Sequence, residues 1–187
     1  ESGVATLKQI HSAIIFHARA PHSEPLGEGD ALVSNAAGVR LIVRTADCVP
    51  VLLADGRRRA VAAIHAGWRG TAASIVAKAM DRLREEFGSE PEDVVAAIGP
   101  SIGGCCYEVG DEVREQMAKW TRGVGENAQP SCVNLPQINR QQLIDGGVPH
   151  QQIVMADLCT RCLTGEFHSF RRDREQAGRM QSWIGIR

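Results

Sequence analysis

Aromatic side chains are scarce, 4% of 187 residues with a single tyrosine. Single-stranded nucleic acids are gripped on aromatic platforms set among basic residues, so this shortage argues against such a partner. Charge argues the same way. Lysine and arginine number 21 against 22 acids, and a net charge of −1 offers no bulk attraction to nucleic acid or to an anionic membrane. No apolar run reaches the length of a membrane span, and no signal-peptide pattern opens the sequence. Walker and Rossmann glycine patterns are missing. The six histidines include no H-x-H pair. What is present is the make-up of a soluble globular chain, 43% apolar and 23% charged, which is long enough for a core of its own. Such a chain needs no disulfide framework. The six cysteines (Cys48, Cys105, Cys106, Cys132, Cys159 and Cys162) therefore read as packing residues or ligands in a reducing, cytoplasmic protein.

Short β-branched runs predict strands at Ala31–Ser34, Val39–Thr45, Val49–Asp55 and Ala60–Ala66. Asp55-Gly56 is a turn signal that makes a hairpin of the last two. The period then changes: Ile75, Val76, Ala79, Met80, Leu83 and Phe87 share one helical stripe. Thr71 is the expected N-cap of that helix and Gly88 its end. A strand over Val94–Ile98, a glycine-rich connection over 99–110, a helix over 111–120, a surface loop over 123–130 and a helix from Leu135 follow. Strands over 153–157 and near the C-terminus complete the pattern. Hairpins and crossover helices together predict an α/β (α+β-like) fold, a single-domain layered sandwich with one mixed sheet.

Antiparallel geometry sets opposite each other residues equally distant from a turn, so Cys48 and His65 meet at the open end of the hairpin. Thiol beside imidazole supports two chemistries. One is a Cys–His nucleophile pair, with Asp47 as a possible orienter. The other is a metal site, which needs a third ligand. His11, in "LKQIHSAII", is one candidate among the remaining histidines and thiols. One Cys and two His would leave tetrahedral Zn²⁺ an open position, and zinc-bound water ionises near neutral pH. Cys159 and Cys162 form a C-x-x-C with no second such pair to complete a site. Adjacent Cys105 and Cys106 are expected to point apart. Glu108 is a candidate acid/base group or a helix N-terminal carboxylate.

"QIHS", "GDALVSNAAGVRLIVRTADCVPVLLAD", "AAIHAGWRGT", "AAIGPSIGGCCYEVG" and "FHSFRRDREQAGRM" together resemble the YfiH-type family. That family is also known as peptidoglycan editing factor, or polyphenol oxidase (laccase domain), proteins. The resemblance runs from about Gln9 to the C-terminus. It implies a zinc ion on the histidine of Q-I-H-S, the cysteine of T-A-D-C and the histidine of H-A-G-W-R-G, here His11, Cys48 and His65. It further implies phosphorolysis of adenosine, inosine, guanosine or methylthioadenosine and deamination of adenosine, with purine nucleoside and phosphate as partners. Family members usually carry several dozen residues before the Q-x-H motif, so the chain is expected to be one YfiH-like domain, 1–187, without that segment. His168 and Phe170 stand where phenylalanine and tyrosine are usual.

Chemistry then assigns candidate roles. Asp47 or Glu108 would shuttle protons. Arg69, Arg171 and Arg172 would hold phosphate, and Gln9, the first residue of Q-I-H-S, is a further candidate for binding substrate or phosphate. An alternative is a Cys–His thiol hydrolase or amidase that edits a peptidoglycan precursor. A copper polyphenol oxidase is disfavoured, because the copper clusters of laccases require many histidines, generally in H-x-H pairs. Any copper on the trio would be adventitious.

Overall fold

β-Branched and small apolar residues at period two build most of the sheet structure. The computed structural model describes residues 3–121 and 131–187. Its strands are β1 (Gly3–Ala5), β2 (Ile15–His17), β3 (Ala31–Ser34), β4 (Val39–Thr45), β5 (Val49–Asp55), β6 (Ala60–Ala66), β7 (Val94–Ile98), β8 (Ile153–Met155) and β9 (Met180–Gly185). Its helices are α1 (Trp68–Ala72), α2 (Ile75–Phe87), α3 (Asp111–Thr121), α4 (Leu135–Asp145) and α5 (Phe170–Asp173). The loop expected over 123–130 lies outside the described residues. Among those described, no helix is long and apolar enough to cross a membrane.

The strands form two mixed sheets rather than the one expected. Six strands run in the order β2-β3-β6-β5-β7-β8, and three in the order β1-β4-β9. The reason lies in β4. It buries alternate residues, and its long antiparallel partner is the distant β9 rather than either chain neighbour. Leu41 and Val43 of β4 face Val61 and Ala63 of β6 in a small core between the sheets. On the opposite face of β6, Ala60, Ala62 and Ile64 pack with Val76, Ala79 and Leu83 of α2 and Ile138 of α4. Both faces of β6 are thus covered, and all seven of its residues are buried. Its alanines suit that middle layer, since backbones can approach closely on both sides. A fully buried leucine such as Leu83 contributes about 1.5–3 kcal/mol by transfer from water.

The β5–β6 hairpin has the expected turn. Asp55 pairs with Ala60, and the Asp55 carboxylate accepts the N–H groups of Arg57 (2.8 Å) and Arg58 (3.0 Å). Gly88 ends α2 with φ 69°, as its lack of Cβ permits. Thr71 does not cap that helix. It is fully buried in α1, its hydroxyl accepts a hydrogen bond from Asn139 (3.0 Å), and its carbonyl accepts one from Gln142 (2.8 Å). The helix instead restarts after Ser74, whose backbone is left-handed. Thr71 is used to tie α1 to α4.

Candidate metal centre

His65 is the penultimate residue of β6 and 3% exposed. Pro50 pairs with it across the hairpin, and Cys48 stands just ahead of that paired stretch. His11 arrives from the loop between β1 and β2, in a left-handed conformation (φ 59°) unusual for a residue with a side chain. Gly67 makes room for the meeting. A Cβ there would lie 2.8 Å from the His11 ring and 3.3 Å from the Cys48 sulfur. The ligand atoms of His11, Cys48 and His65 all lie within 4.8 Å of one another, with Cys48 Sγ 3.8 Å from His11 Nε2.

Asp30, wholly buried at the entrance to β3, organises the group. Its carboxylate accepts His65 Nδ1 at 2.8 Å, which leaves Nε2 of that ring for a metal. The same carboxylate accepts the backbone N–H groups of Ile10 (3.3 Å), His11 (3.0 Å) and Ser12 (2.5 Å), as well as the Ser12 hydroxyl (2.7 Å). These bonds fasten the strained turn that presents His11. Burial opposes ionisation of Asp30, yet the bonds from His65 and Ser12 hold its carboxyl down at about 2. Burial likewise disfavours charge on His65, but Asp30 and Cys48 raise it to about 9. Burial would raise the Cys48 thiol, and hydrogen bonds from His11 and His65 overcome this and lower it to about 7. A thiol and two imidazoles, one of them oriented by Asp30, form a donor set suited to zinc that would leave one coordination position open.

The trio opens into a cavity of about 690 Å³. Arg44, Arg171, Arg174 and Arg179 line it, with Asp47 the only carboxylate among the lining residues. Tyr107 and Phe170 add aromatic surface. Burial, with a contribution from Cys48, pushes the Tyr107 hydroxyl up to about 12 against the opposing pull of Arg171 and Arg69. At neutral pH it is therefore a hydrogen-bond donor.

Residues 1–187 match a family model described as multi-copper polyphenol oxidoreductase laccase. The chain belongs to this family, the YfiH-type laccase-domain proteins. A purine nucleoside phosphorylase of Bacteroides thetaiotaomicron is 41% identical over 183 residues, which span 95% of this chain and 68% of the relative. An adenosine deaminase from an unknown prokaryotic organism is 38% identical over 156 residues, 80% of this chain and 59% of that protein. The crystal structure of YlmD from Geobacillus stearothermophilus superposes with a TM-score of 0.89 at 32% identity and covers 98% of this chain and 73% of that one.

In this YfiH-type chain the remaining candidate residues separate by position. Arg171 lines the cavity, its guanidinium 5.2 Å above the Tyr107 ring and bonded to the Glu108 carbonyl (2.8 Å). Gln9 lines it too, but both ends of its amide are spent on the backbone of Arg44 (2.8 Å each). Asp47 has a left-handed backbone (φ 85°), and its oxygens accept the Thr160 hydroxyl (2.7 Å) and the Arg171 N–H (2.6 Å). Each of its oxygens is thus engaged by the protein itself. Arg172 lies outside the lining and is occupied by Asp173 and the carbonyls of Thr160 and Phe167. Arg69 also lies outside, stacked over Trp68 at 4.3 Å. Glu108 is outside as well, its backbone bridged to Cys132. Sequence reasoning missed Asp30, Arg44, Tyr107, Arg174 and Arg179. The one signal for Asp30 was an acid set directly before the apolar run Ala31–Val33, in "GEGDALVS".

Proposed function

We propose that the chain is a zinc-dependent purine nucleoside phosphorylase that also deaminates adenosine. Its substrates are adenosine, inosine, guanosine or methylthioadenosine, with inorganic phosphate as co-substrate. The observation that carries this reading is a His₂Cys trio facing an arginine-walled cavity of about 690 Å³. That size suits a nucleoside and an anion together. Zinc fits His11, Cys48 and His65 by donor type and by the orientation that Asp30 imposes, and when bound it supplies Lewis acidity at its open position.

The protein groups account for the rest. In phosphorolysis the bond from the ribose carbon to the purine nitrogen breaks, a bond from that carbon to a phosphate oxygen forms, and the leaving base takes up a proton. Positive charge builds on the sugar on the way. Arg44, Arg171, Arg174 and Arg179 would bind the phosphate and hold it where its charge opposes the developing one. Phe170 offers a flat apolar face for the base, and the Tyr107 hydroxyl a hydrogen-bond donor. Free thiols throughout suit a reducing cytoplasm.

One observation favours a second reading. Asp30, His65 and Cys48 form an acid–imidazole–thiol line, with Asp30 in the role first considered for Asp47. This is the order expected of a thiol hydrolase or peptidoglycan-editing amidase. The second imidazole, His11, weighs against it, because a nucleophile needs one base whereas two imidazoles around a thiolate make a ligand set. Polyphenol oxidation is weaker still. Only one of the two metal-competent groups among the described residues contains histidine.

The deciding experiment incubates zinc-loaded protein with adenosine, with and without phosphate, and resolves the products by chromatography beside a Cys48→Ala control. Purine base released only with phosphate and only with Cys48 supports the phosphorylase. Inosine without phosphate supports the deaminase. Amide hydrolysis of a muropeptide that survives zinc chelation, with no nucleoside turnover, would replace both with the amidase.

A further inference from the structure

A second group of thiols lies behind the cavity wall. Cys105 and Cys106 belong to the connection between β7 and α3, Cys159 and Cys162 to that between β8 and α5. All four sulfurs lie within 4.8 Å of one another, with Cys162 3.3 Å from Cys106 and 3.8 Å from Cys105. No disulfide joins them. A zinc ion bound to four thiolates at about 2.3 Å has sulfur–sulfur edges of about 3.8 Å, so the group is already near tetrahedral spacing.

The expectation that adjacent cysteines point apart fails for a local reason. Residues 104–106 form a turn rather than a strand, so the alternation that sends adjacent side chains to opposite sides does not apply, and both sulfurs reach the group. The backbone is shaped around the sulfurs as well. The Gly103 N–H points at Cys159 Sγ (3.3 Å), and a Cβ on Gly103 would crowd the Cys105 sulfur at 3.3 Å. Backbone hydrogen bonds join the two segments, from the Ser101 N–H to the Leu158 carbonyl and from the Thr160 N–H to the Ser101 carbonyl, but apolar packing adds little. Within 99–107 and 157–167, Ile102 is the only buried apolar side chain. Loops without a core need another staple.

We propose that Cys105, Cys106, Cys159 and Cys162 bind a second metal ion, a structural zinc separate from the one on His11, Cys48 and His65. Four thiolates close the coordination sphere, so this ion carries no open position and does no chemistry on substrate. Its effect on the cavity is mechanical. Thr160, inside the C-x-x-C, bonds Asp47 beside the ligand Cys48, and Tyr107, directly after Cys106, lines the cavity. The ion would brace that wall. Exposure of Cys105 and Cys162 gives it a way in.

Native mass spectrometry tests this on the full chain, purified with zinc under reducing conditions. Two zinc ions per chain are expected, one of which persists in Cys48→Ala. Cobalt loaded into Cys48→Ala should show the intense thiolate-to-metal charge-transfer absorption of tetrahedral sulfur coordination. The Cys105→Ser/Cys162→Ser double variant should keep one zinc and melt at a lower temperature. If that variant does not fold, the Cys48→Ala measurements decide alone. A Cys48→Ala chain without zinc overturns the proposal, as does cobalt in it lacking those bands. A metal-free native chain lighter by two hydrogens per pair of cysteines also overturns it, since it would mean that the thiols are disulfide formers.

Discussion

The His11–Cys48–His65 group and the four-cysteine group are built on different kinds of support. His65 is deep in a strand covered on both faces, and a buried carboxylate sets the angle of its ring. The four cysteines stand on loops, two of them exposed, with almost no apolar packing beneath. In the first group the fold arranges the side chains, and the proposed metal would enter a place already shaped. In the second the metal, in our proposal, would supply the order that packing does not. The comparison suggests a rule for sites of this kind. Where a coordination position must stay open to substrate, the protein has to do the orienting itself. Where coordination is closed, the ion can do it.

Substitutions can break that contrast. The largest effect is expected from His65→Ala. It removes a proposed ligand and should lower turnover by more than the ~100-fold typical of losing a mere orienting partner, as steady-state rates of nucleoside cleavage would show. Cys162→Ser should instead lower the unfolding temperature and leave the trio's zinc in place, as thermal melting and metal analysis would show. If both substitutions acted alike on turnover, the two groups would not differ as described.

Asp30→Ala comes next. It leaves His65 and three backbone N–H groups without their acceptor. Metal affinity should fall about 10–100-fold, read by competition with a chromophoric chelator. Stability should fall by about 3–5 kcal/mol in denaturant titration, the usual cost of breaking a buried charged pair. Arg171→Ala should raise KM for phosphate on the order of 10–100-fold, the worth of a charged hydrogen bond, with KM for the nucleoside little changed. The mildest test is titration with pH. His65 holds its proton up to about 9 and Cys48 up to about 7, so zinc should displace one proton from this pair between those values and two below about 7. Affinity should then drop about tenfold per pH unit for each displaced proton as pH falls. Calorimetry in buffers of different ionisation enthalpy counts those protons directly.

The hairpin that carries Cys48 and His65 was legible because everything it needs is local. Two apolar runs and an Asp-Gly turn are all read within 18 residues of chain, 48–65, although the register sets Pro50 rather than Cys48 opposite His65. Gly88 as the end of α2 was legible for the same reason. Thr71 misled because a threonine before an apolar stripe looks like a cap, and only the packing of α4 reveals its buried partners. The second sheet was hidden because β4 and β9 are far apart in sequence, and nothing local says which strands leave the main sheet. Asp30 was hidden because its importance comes from four residues that the fold brings to it from two other segments. The four-cysteine group was half visible as a C-x-x-C. The missing half is an adjacent pair, a spacing that reads as inert until a turn lets both sulfurs reach the group.

Strand β1 pairs with β4 only as far as Leu41, while β9 covers the opposite side of β4 out to Thr45. At Arg44 the N–H and carbonyl on the β1 side would otherwise be an open invitation to a foreign strand. The Gln9 amide answers both, donor to acceptor and acceptor to donor, as a peptide unit of a neighbouring strand would. One side chain thus finishes a strand that the backbone stops short of completing, and protects the sheet from edge-to-edge aggregation at that rung.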